Sequence, residues 1–219
     1  MKKKTILIAT FLASVSSWAT TNPTTATLKI YGVAISANED CSNATVVGYN
    51  SSGTDYDFKQ TPAIFTGTMA AGTYKCVILY MSSVINFKPL ANDGSKCVAG
   101  TAYNVNVCNL SNGCTYTTAS PNSSNVLVYG SGLTTPVGAN STSTTGDKVL
   151  LFLSTGSTGT GDNAFKQPLA ATPTYGIKLT NAFTVSDTGS QGTFVVNFDG
   201  KVDGTGSNCD LGPPAFSFR

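Results

Sequence analysis

Apolar residues along this chain either alternate with polar ones or come in short runs broken by Gly, Pro, Asn and Ser, and no 3.6-residue period is sustained beyond the first twenty positions. That is the pattern of strands separated by turns. It predicts strands over residues 28–35, 64–68, 72–87, 101–108, 126–129, 148–153, 177–179, 183–186 and 193–198, with Phe216 and Phe218 forming a terminal edge strand. The run Cys76-Val-Ile-Leu-Tyr-Met81 is apolar on both faces, which places it in the middle of a sandwich. Over 101–108, Tyr103, Val105 and Val107 alternate with Asn104, Asn106 and Cys108, as expected of a half-exposed strand. Strands at this spacing predict an all-β fold: a single antiparallel β-sandwich, or barrel-like, domain over residues 20–219. Residues 130–146 and 154–163 are rich in Ser, Thr and Gly and read as long loops. Ser51-Ser-Gly53 with Asp55 and Asp57 reads as a polar turn.

The first twenty residues follow another rule. Lys2, Lys3 and Lys4 precede an apolar run over 6–15 and then Ser17-Trp18-Ala19, the charged, hydrophobic and small-x-small parts of a secretory signal. The apolar run is far shorter than the roughly 20 residues that span a bilayer. The expectation is a signal peptide over 1–19, cleaved after Ala19, and a mature chain in the periplasm, at the cell surface or secreted, with no membrane span. The first cysteine is Cys41, so no lipid attachment is expected at the cleavage point.

Cleavage changes the charge. Three of the 13 basic residues lie in the leader, leaving 10 against 11 acidic ones, a net charge of about −1. Nucleic acid is therefore not an expected partner, since phosphate binding needs a basic field.

All six cysteines, Cys41, Cys76, Cys97, Cys108, Cys114 and Cys209, fall in the mature part. An even number in an exported chain reads as disulfides. Cys97, Cys108 and Cys114 can form at most one pair among themselves, so at least one of them must reach Cys41, Cys76 or Cys209. The pair favoured by proximity is Cys108 with Cys114, around Asn109-Leu-Ser-Asn-Gly113. Zinc is not expected, because histidine is absent and no C-x-x-C spacing occurs.

The lack of histidine also removes Ser-His-Asp and Cys-His catalysis in their usual forms. A carboxylate pair such as Asp55 with Asp57, or Glu39 with Asp40, is the remaining route to hydrolytic chemistry. The segment Asp199-Gly-Lys-Val-Asp203-Gly has a faint likeness to a calcium loop but lacks its alternating oxygen ligands and closing glutamate. Lys29 near the first strand and Asn197 near the last invite comparison with surface domains that carry Lys-Asn isopeptide crosslinks. No cofactor or metal is expected.

Ala70-Ala-Gly-Thr-Tyr-Lys-Cys-Val-Ile-Leu-Tyr80, a Gly-Thr-Tyr turn feeding a central apolar strand, is similar to modules of uncharacterised secreted bacterial β-sandwich proteins and, more loosely, to transthyretin-like domains. The resemblance covers about a dozen residues and implies a fold class without an active site. Together these features point to a noncatalytic exported envelope or surface protein that binds or assembles through loops or sheet edges, its partner another surface protein or a glycan. The alternatives are an extracellular carbohydrate-directed enzyme or carbohydrate-binding module, and a pilus-like subunit with an unpaired segment before Leu28. If residues 126–129 and 148–153 are successive strands, the 130–146 loop marks one end and loops 109–125 and 154–175 share the other, with Asn112 and Tyr116 as ligand-contact candidates.

Overall fold

The computed structural model describes residues 21–60, 69–106, 114–117, 126–129, 139–140, 148–157, 165–168, 175–186, 194–212 and 214–218. The strands are β1 (Pro23–Ser36), β2 (Thr45–Asp57), β3 (Gly72–Tyr74), β4 (Cys76–Pro89), β5 (Tyr103–Asn106), β6 (Cys114–Thr117), β7 (Val126–Tyr129) and β8 (Ala139–Asn140). They continue with β9 (Lys148–Ser154), β10 (Ile177–Lys178), β11 (Phe183–Val185), β12 (Phe194–Asn197), β13 (Val202–Asp203), β14 (Asp210–Leu211) and β15 (Ala215–Phe218). Among the described residues the one helical element is the 3-10 turn Phe58–Gln60. The expected strand at 64–68, the leader and Cys108 lie outside the described residues.

Nine strands make one sheet, with β2-β1-β4-β9-β7-β6 in order. One edge of β4 carries β1, and its other edge is shared: residues 76–82 pair with β9 and residues 84–87 with β5. The sheet is mixed rather than purely antiparallel, because β7 and β10 both run parallel to β9.

The two-faced run in β4 explains the architecture. Val77, Leu79 and Met81 point into the larger core with Val149, Leu151 and Leu153 of β9. Cys76, Ile78 and Tyr80 point the other way, into a second core with Leu150 and Phe152. Covering the first face are Phe58, Val196, Phe198, Val202 and Leu211, which come from the 3-10 turn and the C-terminal segments and form the second layer of a β-sandwich. In β1, Ala26, Leu28 and Ile30 face the larger core, but after an irregularity at Tyr31 it is Val33 and Ile35 that do so. A bulge moves the inward parity by one residue, which a strict two-residue alternation does not anticipate. Next to it, across from Lys29, β4 carries Ser82, Ser83 and Val84 between the partners of Ile30 and Leu28, and the Ser83 hydroxyl is buried without a hydrogen-bond partner among the described residues.

Two disulfides are described, Cys41–Cys76 and Cys97–Cys209. The first fastens the β1–β2 connection onto the start of β4. That connection also holds Asp40, whose carboxyl is kept below the ordinary aspartate range by hydrogen bonds from the Ser42 hydroxyl and amide. The second joins the β4–β5 connection to β14. Cys108 and Cys114 are the cysteines left over from these pairs.

Several expectations are corrected here. Residues 45–57 form a strand around the expected turn: Thr45–Tyr49 pair with β1 residues 32–35 with a shift near Val47, residues 50–53 leave the ladder, and Asp55 and Asp57 lie in the stretch Thr54–Asp57 paired with residues 27–30 rather than in the turn. The half-exposed strand expected over 101–108 is described at 103–106, where Tyr103 and Asn104 are partly exposed but Val105 and Asn106 are buried, because β4 and β8 flank it. The segment before Leu28 is paired, with Pro23–Thr27 on β4 and Thr21 bridging Val202, so from residue 21 onward it is not a free donor strand.

Candidate contact surface

Of the two loops proposed to act together, it is the bounding strands that are described. Because β7 runs parallel to β9, with Leu127 opposite Val149, both strands start at the same end of the sheet. The start of β7 at Val126 and the end of β9 at Ser154 are therefore at opposite ends, whereas β6, antiparallel to β7, starts at Cys114 opposite Tyr129, on the same side as Ser154. Tyr116 lies opposite Leu127, level with the start of β9. It is about 17 Å along the strand direction from Ser154, at roughly 3.3 Å per residue. Asn112 lies outside the described residues.

The carboxylate candidates are taken up structurally. Asp55 pairs with Lys29 at 3.5 Å. Asp57 Oδ1 accepts from the amides of Ala26 and Lys59, at 3.0 and 3.1 Å. Glu39 pairs with Lys75 at 3.3 Å, and Asp199 with Lys59 at 2.7 Å. Asp203 Oδ1 accepts from the Thr205 amide and hydroxyl. Asn197 Oδ1 accepts from the Asp199 amide, and Lys29 is engaged by Asp55, so the pair suggested for an isopeptide crosslink is otherwise occupied. No group of three or more metal-ligating side chains occurs among the described residues.

What remains is surface, and three parts of it were open to function. The first is the outer edge of β2, which pairs with β1 alone among the described residues. An open edge invites strand addition. This one is guarded: it is irregular near Val47, interrupted at 50–53, and carries Asp55 and Asp57 in its last stretch. Bulges and inward or edge charges are how natural sheets suppress edge pairing.

The second is a tyrosine cluster. Exposed Tyr49 stacks on buried Tyr80 at 6.0 Å between ring centroids, and Tyr31 tilts against Tyr80 at 5.5 Å. Lys148 Nζ lies 4.4 Å from the Tyr31 centroid and 5.8 Å from that of Tyr80, and donates to the Ser51 carbonyl at 3.3 Å. Its own strand, β9, is separated from β2 by β1 and β4, about 14 Å at the usual strand spacing. The 50–53 loop must therefore lean over the sheet face to meet it. Gly53, at φ 68°, allows this, since a Cβ there would strike Lys29 and Tyr31. Burial first, then the Tyr49 and Tyr31 phenols, push Tyr80 above the ordinary tyrosine range. The ring stays neutral beside the lysine. This cluster closes the second core rather than presenting a site. Lys148→Met is expected to lose about 1 kcal/mol of stability through the two cation–π contacts, measured by urea unfolding. Lys148→Arg, which keeps the cation, is expected to retain most of it, and equal losses in both variants would contradict this role.

The third is the β4–β5 hairpin. Gly100 donates to the Pro89 carbonyl, Asp93 and Cys97 exchange both backbone hydrogen bonds, and Asn92 Oδ1 accepts from the Ala99 amide. The Tyr103 hydroxyl accepts from Val98 and donates to the Lys96 carbonyl. Cys97 is bonded to Cys209. Gly94 and Gly204 approach so closely that a Cβ on either would overlap the other loop's backbone. Asp93 and Cys97 point inward and are buried, while Leu90 and Val98, on the two arms, are 59% and 51% exposed. Single exposed aliphatic residues are ordinary. Here two are held outward on one heavily fastened hairpin, beside exposed Ala91 and Ala99.

Sequence reading missed this surface, because Pro89, Gly94 and Gly100 mark a loop and exposure is not a sequence property. The available signal was Leu90-Ala91 and Val98-Ala99 flanking a turn that ends in a cysteine. Comparison with protein-family models, curated proteins and solved structures finds no match. Fold and disulfides define an all-β, disulfide-bonded sandwich protein, and none of its described helical structure is long and apolar enough to cross a membrane.

Proposed function

We propose that this is a noncatalytic protein of the cell envelope or surface, exported by its leader and cleaved after Ala19, that binds another surface protein through the outward face of the β4–β5 hairpin. The observation that carries this reading is the exposure of Leu90 and Val98 on a hairpin fastened by a disulfide and a hydrogen-bond network. A contact patch with aliphatic residues presented in a fixed geometry loses little conformational entropy on binding, and exposed apolar groups gathered on one element mark interaction sites. The aliphatic character favours a protein partner over a glycan, which is commonly met by aromatic rings. Disulfides fit an oxidising compartment outside the cytoplasm.

The test is binding of purified mature protein to intact cells of the producing strain. Leu90→Asp with Val98→Asp is expected to reduce binding at least tenfold while leaving the thermal midpoint within about 2 °C, since both side chains are largely solvated already. Undiminished binding by the folded double variant would overturn the assignment.

A further inference from the structure

Beneath the hairpin, β13 and β14 are two-residue strands that place Asp203 directly opposite Asp210. Like charges facing each other across an antiparallel pair oppose the pairing. Asp203 is satisfied by Thr205, whereas Asp210 Oδ1 is buried with no hydrogen-bond partner among the described residues. A buried carboxylate oxygen without a donor, beside a second carboxylate, is a place for a proton.

The groups around it do not supply a competing cation. From the hairpin, Asp93 Oδ2 accepts from the Gly204 amide at 3.3 Å, and Lys96 is exposed. Tyr103 of β5, the strand beside β14, has its hydroxyl engaged by Val98 and Lys96. Asp199 is paired with Lys59. Lys201 precedes β13, and none of the ion pairs among the described residues joins it to Asp203 or Asp210.

We propose that Asp203 and Asp210 form a proton-operated latch, in which uptake of one proton by the pair fastens β13 to β14. This strand pair is tied to the rest of the molecule at two points. Thr21 and Val202 exchange both backbone hydrogen bonds, anchoring the chain just before β1, and Cys209 is bonded to Cys97 of the hairpin. A protonated latch firms both attachments, and an ionised one loosens them. The latch stands independently of what the hairpin binds.

Its sign follows from Asp210. Burial, then the Asp203 charge, raise its carboxyl above the ordinary aspartate range. The folded state therefore binds this proton more tightly than the unfolded state, and the group's contribution to stability increases as pH falls through its folded midpoint toward the unfolded one. Asp203, lowered by Thr205, acts oppositely and only at more acidic pH.

The test is carboxyl-carbon NMR titration of the mature protein, with amide exchange corrected for intrinsic rates. Asp210 is expected to titrate above the ordinary range, and Asp203→Asn to lower its midpoint by removing the facing charge. Protection of the Val202 amide, donated to Thr21, and of the Gly212 amide, donated to Lys201 across the pair, should rise on acidification from pH 7, about tenfold for each unit by which the Asp210 midpoint exceeds its free value. Asp210→Asn should show the high protection already at pH 7 and little pH dependence down to about pH 4.5. An Asp210 midpoint at or below the ordinary range, no response to Asp203→Asn, or the same pH dependence in wild type and Asp210→Asn would each overturn the latch.

Discussion

Replacing Cys97 and Cys209 together with serine is expected to lower the unfolding free energy by about 4 to 5 kcal/mol, the largest effect of any bridge described. The two residues are 112 apart in sequence, and the loop-closure entropy removed from the unfolded chain by a crosslink of that span is roughly 4.7 kcal/mol on the chain-entropy model. Both cysteines are buried in the larger core, so the variant also leaves two hydroxyls in apolar surroundings. The Cys41–Cys76 bridge spans 35 residues and is expected to contribute about 1 kcal/mol less by the same relation. Urea unfolding of the two double-serine variants checks the order. A smaller loss at Cys97–Cys209 than at Cys41–Cys76 would mean that the hairpin and β14 stay together without their crosslink.

Leu79→Ala is the second large effect, with about 3 to 5 kcal/mol lost. Leu79 is 1% exposed on the central strand, opposite Leu151 of β9 and Val33 of β1. Those neighbours belong to regular ladders on both sides, which limits collapse of the cavity. The adjacent residue gives the sharper comparison. Ile78 points to the opposite face, into the core closed by Tyr31, Tyr80 and Phe152. Ile78→Ala is expected to cost about 2 to 4 kcal/mol. A sheet with one solvated face would leave one of these neighbours nearly neutral, so a loss below about 1 kcal/mol at either position would contradict the two-core arrangement.

These effects rest on features that were legible in the sequence to different degrees. The apolar run 76–81 announced a strand buried on both faces, and β4 is that strand. The positions of β1, β7, β9 and β12 were also visible in their apolar runs. β2 was not, because Asn50-Ser-Ser-Gly53 has turn composition. The turn is real but local: Asn50 accepts from the Ser52 amide and donates to Gly53, while the chain on either side remains in the ladder. Strand direction is not written in residue pattern, so the parallel placement of β7 beside β9 was open; it puts Val126 at the far end from Ser154 while Cys114 of β6 stays on the near side. The paired carboxylates of β13 and β14 lie in two-residue strands too short to carry any period. Cysteine counting required one of Cys97, Cys108 and Cys114 to reach outside its group. Cys97 does so, and the expected Cys108–Cys114 pair lies outside the described residues.

The hairpin face is a product of tertiary structure. Nothing in Leu90 or Val98 distinguishes them from core residues until Asp93 and Cys97 are seen to occupy the inward positions. A photo-crosslinking amino acid placed at position 98 in the producing cells tests the contact surface most directly. A discrete adduct with one envelope protein is expected on irradiation from position 98, and none from Thr184, an exposed position on β11. Adducts from position 184 with none from 98 would contradict the assignment of the β4–β5 hairpin as the surface through which this protein binds.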